Sequence, residues 1–316
     1  MSGTIKDIPA ELLAPAIAGG AERIARPAVG LWRSVARSLV RSPLSVACLV
    51  VLVLIVLGAL IIPAVYPLDY ATQDVTFANQ PFFSVSPTTG IMHIFGTDNL
   101  GRDTFVRVWY GARVSLTVAG AVALIDCTVG VIYGGISGYC GGRVDNIMMR
   151  VLEIIGAIPY LIVVLLLMAV LPRGIETIIL AYSLVGWTGT ARLVRSEVVR
   201  LKSSEYMVAA RIMGAGVGRT IIKHLIPNLM AILIVSITLD IPGIIFTEAF
   251  LSLLGLGIAP PYPSWGVLAN DAIATFQVYP EQLAIPALFI CVFVLAFNLL
   301  GDRLQDAFDP KSGGGR

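Results

Sequence analysis

The chain has 316 residues, of which 57% are hydrophobic and only 13% charged, about half the charged share of an ordinary soluble domain. That balance excludes the soluble globular classes and places the chain in a membrane. With 22 Lys and Arg against 20 Asp and Glu the formal net charge is +2, which by itself points to no acidic partner such as nucleic acid.

Residues 1–43 read as an N-terminal tail and residues 44–316 as a transmembrane domain. The first 29 residues are rich in Ala, Gly and Pro and predict little fixed structure. From Leu31 a basic amphipathic helix is expected, with Arg33, Arg37 and Arg41 four apart and Trp32, Val35, Leu39 and Val40 turned from that stripe. It suits a helix lying on the membrane face with its arginines reaching lipid headgroups. Residues 42–68 carry no charge and are long enough to cross about 30 Å of hydrocarbon.

A loop over residues 67–112 comes next, holding Gly96, Thr97, Asp98, Gly101, Arg102 and Asp103. Asp98 and Asp103 are placed to cap a short helix over residues 104–112, and Gly96 and Gly101 to permit tight turns. The spacing is not that of a calcium loop and Arg102 lies among the carboxylates, so no metal is predicted. Residues 114–139 form the second span, apolar apart from Asp126; residues 154–172 form a charge-free third, and residues 177–191 a short fourth. Residues 192–228 are too long for a structureless connection. Ser203 or Ser204 can start a helix there with Glu205 in its first turn. Ala209, Ala210, Ile212 and Met213 give that helix an apolar side, Gly214 ends it, and Pro227 suits the first turn of the next. Two adjacent alanines flanked by apolar residues suit docking into a partner's groove rather than water.

Residues 229–250 form the fifth span, containing Asp240 and Glu248, and residues 283–301 the charge-free sixth. Between them residues 259–281 hold four prolines, one tryptophan and no basic residue, so this loop is either a gate lip, a contact for a delivery protein or a rigid cover. Six helices are therefore expected, because only helices satisfy their own backbone in lipid. Four segments on one side hold 18 of the 22 Lys and Arg, which makes both termini and the 192–228 loop cytoplasmic. Asp126, Asp240 and Glu248 either line the translocation path or bond neighbouring helices. Cys48, Cys127, Cys140 and Cys291 show no metal or disulfide spacing, and no cleavable signal peptide precedes the first span. No Gly-Lys dipeptide occurs, so the chain lacks a P-loop, and no nucleophile has a neighbouring base; the chain by itself is read as no enzyme.

The spacing Ala210, Gly214, Pro227 resembles the loop by which ABC importer permeases engage their ATPases, although Val208 stands where the generic pattern has Glu, with Glu205 further out. Gly96-Thr97-Asp98-Asn99-Leu100-Gly101-Arg102-Asp103 resembles a signature of one permease subunit of dipeptide and oligopeptide ABC importers. Gly111-Ala112-Arg113-Val114-Ser115-Leu116, Gly138-Tyr139-Cys140-Gly141-Gly142-Arg143-Val144-Asp145 and Glu248-Ala249-Phe250-Leu251-Ser252-Leu253-Leu254-Gly255-Leu256-Gly257 continue the resemblance. So do Pro263-Ser264-Trp265-Gly266 and Asn298-Leu299-Leu300-Gly301-Asp302 with Asp309-Pro310. Each motif is weak alone; their order over about residues 41–310 carries the resemblance.

The resemblance implies an all-α, six-helix type I ABC importer permease in a prokaryotic inner membrane. Its partners would be a second homologous permease, two ABC ATPase subunits or one fused ATPase chain, and an extracytoplasmic binding protein. ATP and Mg would sit on the ATPases, with no cofactor on this chain. Glu205, Tyr206, Ala209, Ala210, Arg211, Met213 and Gly214 would dock the ATPase. Family substrates include dipeptides, longer peptides, nickel chelates and some sugars, with peptide the commonest. The competing reading is a secondary transporter or channel using Asp126 and Asp240, which leaves residues 205–227 unexplained.

Overall fold

A computed structural model of the protein describes residues 31–204, 207 and 225–308. In chain order it contains α1 (Leu31–Arg41), α2 (Pro43–Val65), a 3-10 turn (Val75–Phe77), β1 (Ser84–Val85), β2 (Met92–His93), α3 (Thr104–Cys140), α4 (Gly142–Gly156), α5 (Tyr160–Val170), α6 (Ile175–Ser183), α7 (Trp187–Lys202), α8 (Ile226–Leu253), α9 (Trp265–Ile273) and α10 (Pro280–Phe308). Among the described residues, five helical stretches are long and apolar enough to cross a membrane, α6 and α7 counting as one. A sixth arises if α4 and α5 act together across a 70° bend. The expected reading of residues 1–29 lies outside the described residues.

Three expected boundaries change: the short fourth span over residues 177–191 continues past a break after Ser183 to Lys202 as α6 and α7, and two others change for a backbone reason. The third span is not one straight helix over residues 154–172: it breaks at Ala157, and Pro159 flanks the start of α5. Proline lacks the N–H that would continue the ladder and pushes the preceding residue out of the helical region. Conversely, the helix expected over residues 104–112 is not separate. It runs on without a break as α3, 37 residues long, with Asp103 as N-cap accepting from Val106 N at 2.8 Å. Asp98 does not cap this helix; it closes the preceding turn, accepting from Leu100 N and Arg102 N at 2.9 Å.

The N-terminal helix matches the expected faces only in part, because Val40, expected to turn from the arginine stripe, is exposed. Val35 is buried and Leu39 packs on the core, whereas Arg37 and Arg41 are exposed. Pro43 opens α2, with the Ser42 hydroxyl accepting from Ser45 N at 3.4 Å, and Pro227 likewise stands in the first turn of α8. The core gathers Leu52, Ile55 and Ala59 of α2, Val118 and Val122 of α3, Ile244 and Ile245 of α8, and Phe293 of α10 around the fully buried Trp265.

The closest helix contact is between α3 and α7. Gly130, Gly134 and Gly138 stand one turn apart on α3 and lie against Thr190, Ala191, Val194, Arg195 and Val198. A Cβ on Gly134 would run into the Ala191 carbonyl, so a side chain there separates the helices. Small residues at such spacing are how helices approach in lipid, where no hydrophobic drive operates between them. Between α6 and α7 the chain turns at Gly186, where a Cβ would collide with the Asp126 carboxylate.

A polar knot holds the N-terminal half of α3. Glu248 of α8 is 2% exposed and accepts hydrogen bonds from Ser115 at 3.1 Å, Ser252 at 2.9 Å and Ser264 at 2.6 Å. Ser264 also caps α9 by accepting from Val267 N at 3.1 Å. One carboxyl thus ties α3, α8 and the start of α9.

These contacts set two stability outcomes. Gly134→Val should lower thermal stability in detergent by about 1–3 kcal/mol through overpacking against backbone. Gly120→Ala, on the same helix with open space at its Cβ, should be neutral or raise stability by up to about 1 kcal/mol through helix propensity. Glu248→Ala should cost on the order of 3 kcal/mol by stranding three buried hydroxyls, and Glu248→Gln less, because it keeps a carbonyl acceptor.

Candidate functional site

The expected docking residues Glu205, Tyr206, Ala209, Ala210, Arg211, Met213 and Gly214 lie outside the described residues, as does His224. Their flanks are described, and both return to one place. Met207 is fully buried in a cluster with Val194, Val198 and Leu201 of α7 and with Leu225, Leu229 and Leu233 at the entry to α8. Cys127, Val131 and Tyr139 of α3 pack on the same cluster. Burying large apolar side chains in this way stabilises each by roughly 1.5–3 kcal/mol, so Met207 anchors the start of the 205–214 segment. Ser203 and Ser204 use their hydroxyls on the preceding helix, donating to the carbonyls of Arg200 at 2.9 Å and Leu201 at 2.6 Å. They finish α7 at the point where the segment begins.

Charged contacts surround this end. Arg195 grips Asp145 with two hydrogen bonds, and Ser137 of α3 donates to the same carboxylate at 2.5 Å. Lys202 donates to the carbonyls of Tyr139 at 2.6 Å and Gly138 at 3.3 Å, the last turn of α3.

The three acidic residues of the spans do not form one site. Glu248 belongs to the serine knot and is closed off. Asp126 is 8% exposed, its Oδ1 has no hydrogen-bond partner among the described residues, and its other oxygen faces Gly186. Asp240 is exposed on α8 and accepts from Ser236 at 3.3 Å. Gly186 lies against both Asp126 and Tyr182, whose ring lies 5.1 Å from that of Tyr160. The arrangement puts the Asp126 carboxylate and two phenols together at the level of the α6–α7 turn.

At the opposite end of the bundle the Gly96–Asp103 signature folds into a charge cluster that sequence spacing shows only in part. Gly96 and Gly101 hold positive φ angles of 69° and 73°, and Cβ atoms there would strike the carbonyls of Gln80 and Asp74. Thr97 donates to the Phe77 carbonyl at 2.7 Å and accepts from Gln80 N at 2.9 Å. Arg102 pairs with Asp98 at 2.7 Å and reaches Asp271 of α9 at 3.2 Å, and Arg107 reaches the same Asp271 oxygen at 3.2 Å. The i,i+4 pair Asp98–Arg102 is legible from spacing. Asp271, distant in sequence, is not.

His93 is a further member that spacing does not reveal: its Nδ1 lies 2.7 Å from Asp103 Oδ2 in a buried pair. Burial raises the Asp103 carboxyl above its ordinary pKa, and the Val106 N–H and His93 oppose that rise. Burial likewise raises Asp271, against the pull of Arg107 and Arg102. Tyr66 is pushed up to about 12, first by burial and then by the charge of Asp103. The cluster ties the β-hairpin loop to α3 and α9.

Similarity to known proteins agrees with this architecture. Residues 130–313 match the family "Binding-protein-dependent transport system inner membrane component", and residues 30–81 match "N-terminal TM domain of oligopeptide transport permease C". The chain is 44% identical to the oligopeptide transport system permease protein OppC of Bacillus subtilis (strain 168), over 97% of this chain and 99% of that protein. It is 46% identical to the dipeptide transport system permease protein DppC of the same organism, over 92% and 89%. Identity to OppC of Escherichia coli (strain K12) is 39%, over 89% and 91%. A solved structure of the MetNI methionine ABC transporter in an inward-facing conformation shares the fold, with a TM-score of 0.53 at 15% identity over 63% of this chain and 94% of that one. With its type I importer fold, the chain belongs to the binding-protein-dependent inner-membrane transport components, in the family of dipeptide and oligopeptide ABC importer permeases.

Proposed function

We propose that the chain forms half of the translocation pathway of an ATP-driven importer of dipeptides or oligopeptides. The carrying observation is near full-length similarity, at 44% identity over 97% of the chain, to an oligopeptide permease. A second homologous permease completes the pathway. Two ABC ATPase subunits, or one fused ATPase chain, hold ATP and Mg, and an extracytoplasmic binding protein delivers the substrate. The concentration of Lys and Arg near the 192–228 segment and both termini supports a cytoplasmic location for all three.

The docking surface for the ATPase is the segment carrying Glu205, Tyr206, Ala209, Ala210, Arg211, Met213 and Gly214. Its support is twofold: the Ala-Ala and Gly spacing, and the fact that Met207 and Leu225 root the segment in one apolar cluster. Met207 lies within the segment and Leu225 beyond it, so a displacement that reaches either residue is passed to the helices packed on that cluster. Transport proceeds by alternating access: ATP and loaded binding protein each favour one conformer, since a ligand with equal affinity for both shifts nothing. Asp126 and Asp240 are the pathway candidates on this half, and Glu248 serves architecture.

In liposomes holding the full permease–ATPase complex, loaded binding protein should stimulate ATP hydrolysis and peptide uptake. Ala210→Asp should abolish both, because a charge buried unpaired in the interface costs a few kcal/mol, roughly two orders of magnitude in coupling. Undiminished stimulation in a folded, inserted Ala210→Asp complex would place the ATPase contact elsewhere.

A further inference from the structure

We infer that α3 and α7 form one rigid lever, with Lys202, Asp145 and Arg195 as positioning residues that lock its coupling end and carry movement of the 205–214 segment to the level of Asp126. The inference rests on the docking role proposed for that segment. It goes beyond that role by naming the element that receives the motion and the side chains that hold it.

The seam is contiguous over much of α7. At its inner end Gly186 faces the Asp126 carboxylate. One turn on, Gly130 meets Thr190 and Ala191; then Gly134 meets Ala191, Val194 and Arg195; then Gly138 meets Arg195 and Val198. At each of these three glycines the neighbour includes backbone, so sliding one helix past the other would drive peptide groups together. Packed interfaces of this kind move as units instead of deforming continuously.

Among the described residues, the polar contacts between α3 and α7 cluster at one end, where a lever needs locking. The last carbonyls of a helix have no partner within it. Lys202, the final residue of α7, supplies donors to two of them, Gly138 and Tyr139, and lies 5.5 Å from the Tyr139 ring centroid. Arg195 of α7 and Ser137 of α3 converge on Asp145 of α4, so three helices meet at one carboxylate. A bidentate Arg–carboxylate pair fixes orientation as well as distance. Two residues past this lock the chain turns, and Met207 buries itself against α7, α8 and α3. Displacement at Met207 therefore reaches α3 and α7 through the apolar cluster that they share with it.

The test uses the full complex with its ATPases and loaded binding protein. Lys202→Met keeps the length and apolar stem but removes the donors. It should leave complex assembly and basal ATP hydrolysis unchanged and lower the stimulation by loaded binding protein about tenfold, within the range typical of coupling between sites. Lys202→Arg, which still donates to carbonyls, should restore most of it. Wild-type stimulation in Lys202→Met overturns the inference, whereas a wild-type complex with no stimulation at all overturns the importer reading beneath it. A second measurement does not depend on that variant. Spin labels at Thr128→Cys on α3 and Val199→Cys on α7, both exposed, in a chain with its native cysteines replaced, should report one unchanged distance with and without ATP. A distance that changes between those states overturns the rigid lever.

Discussion

The contact of α3 with α7 is the constraint on which the rest of the protein depends. In hydrocarbon each helix satisfies its own backbone, and lipid tails are as apolar as the side chains they meet. Helices then associate through shape and a few polar bonds. Here the shape is supplied by the absence of side chains at Gly130, Gly134 and Gly138, which brings α7 onto the backbone of α3. With that seam set in the C-terminal half of α3, its N-terminal half receives α2 and α8, and Trp265 packs among them.

Polar groups inside this bundle are used sparingly and in different ways. Glu248 is satisfied by three hydroxyls, so its burial serves to tie α3, α8 and α9 together. A buried carboxyl is costly unless its acceptor capacity is met, and here it is. Asp126 differs, because one of its oxygens has no hydrogen-bond partner among the described residues while the other faces Gly186. That contrast, rather than mere presence in a span, separates an architectural acid from a pathway candidate. At the hairpin end Arg102 and Arg107 converge on Asp271, so the long loop after α2 is tied to α9 through ions instead of apolar contact. Charged pairs of this sort give a loop a defined position, at a desolvation cost that hydrogen bonding offsets.

Much of this was legible in the chain, for reasons that can be named. Charge-free runs mark spans because a charge in lipid is expensive, and residues 42–68 and 283–301 read true for that reason. Glycines at 96 and 101 announced turns because the backbone there takes positive φ. Pro159 was visible as well, yet the hydrophobic run around it outweighed its signal and hid the 70° bend. The separate helix over residues 104–112 failed for the opposite reason: polarity changes at Ala112 and Arg113, but nothing in the backbone chemistry stops a helix there.

The sequence by itself determined the class, an all-helical polytopic membrane permease, and its motif order. Composition and local spacing suffice for those, since they depend on residues near one another in the chain. Tertiary structure decided which distant groups meet: Asp271 with Arg102 and Arg107, His93 with Asp103, Glu248 with Ser115 and Ser264, and Lys202 with the end of α3. No one-dimensional pattern encodes those meetings, because each depends on how close two helices approach, and in lipid that distance is set by side-chain volume along a seam that exists only once the bundle has formed.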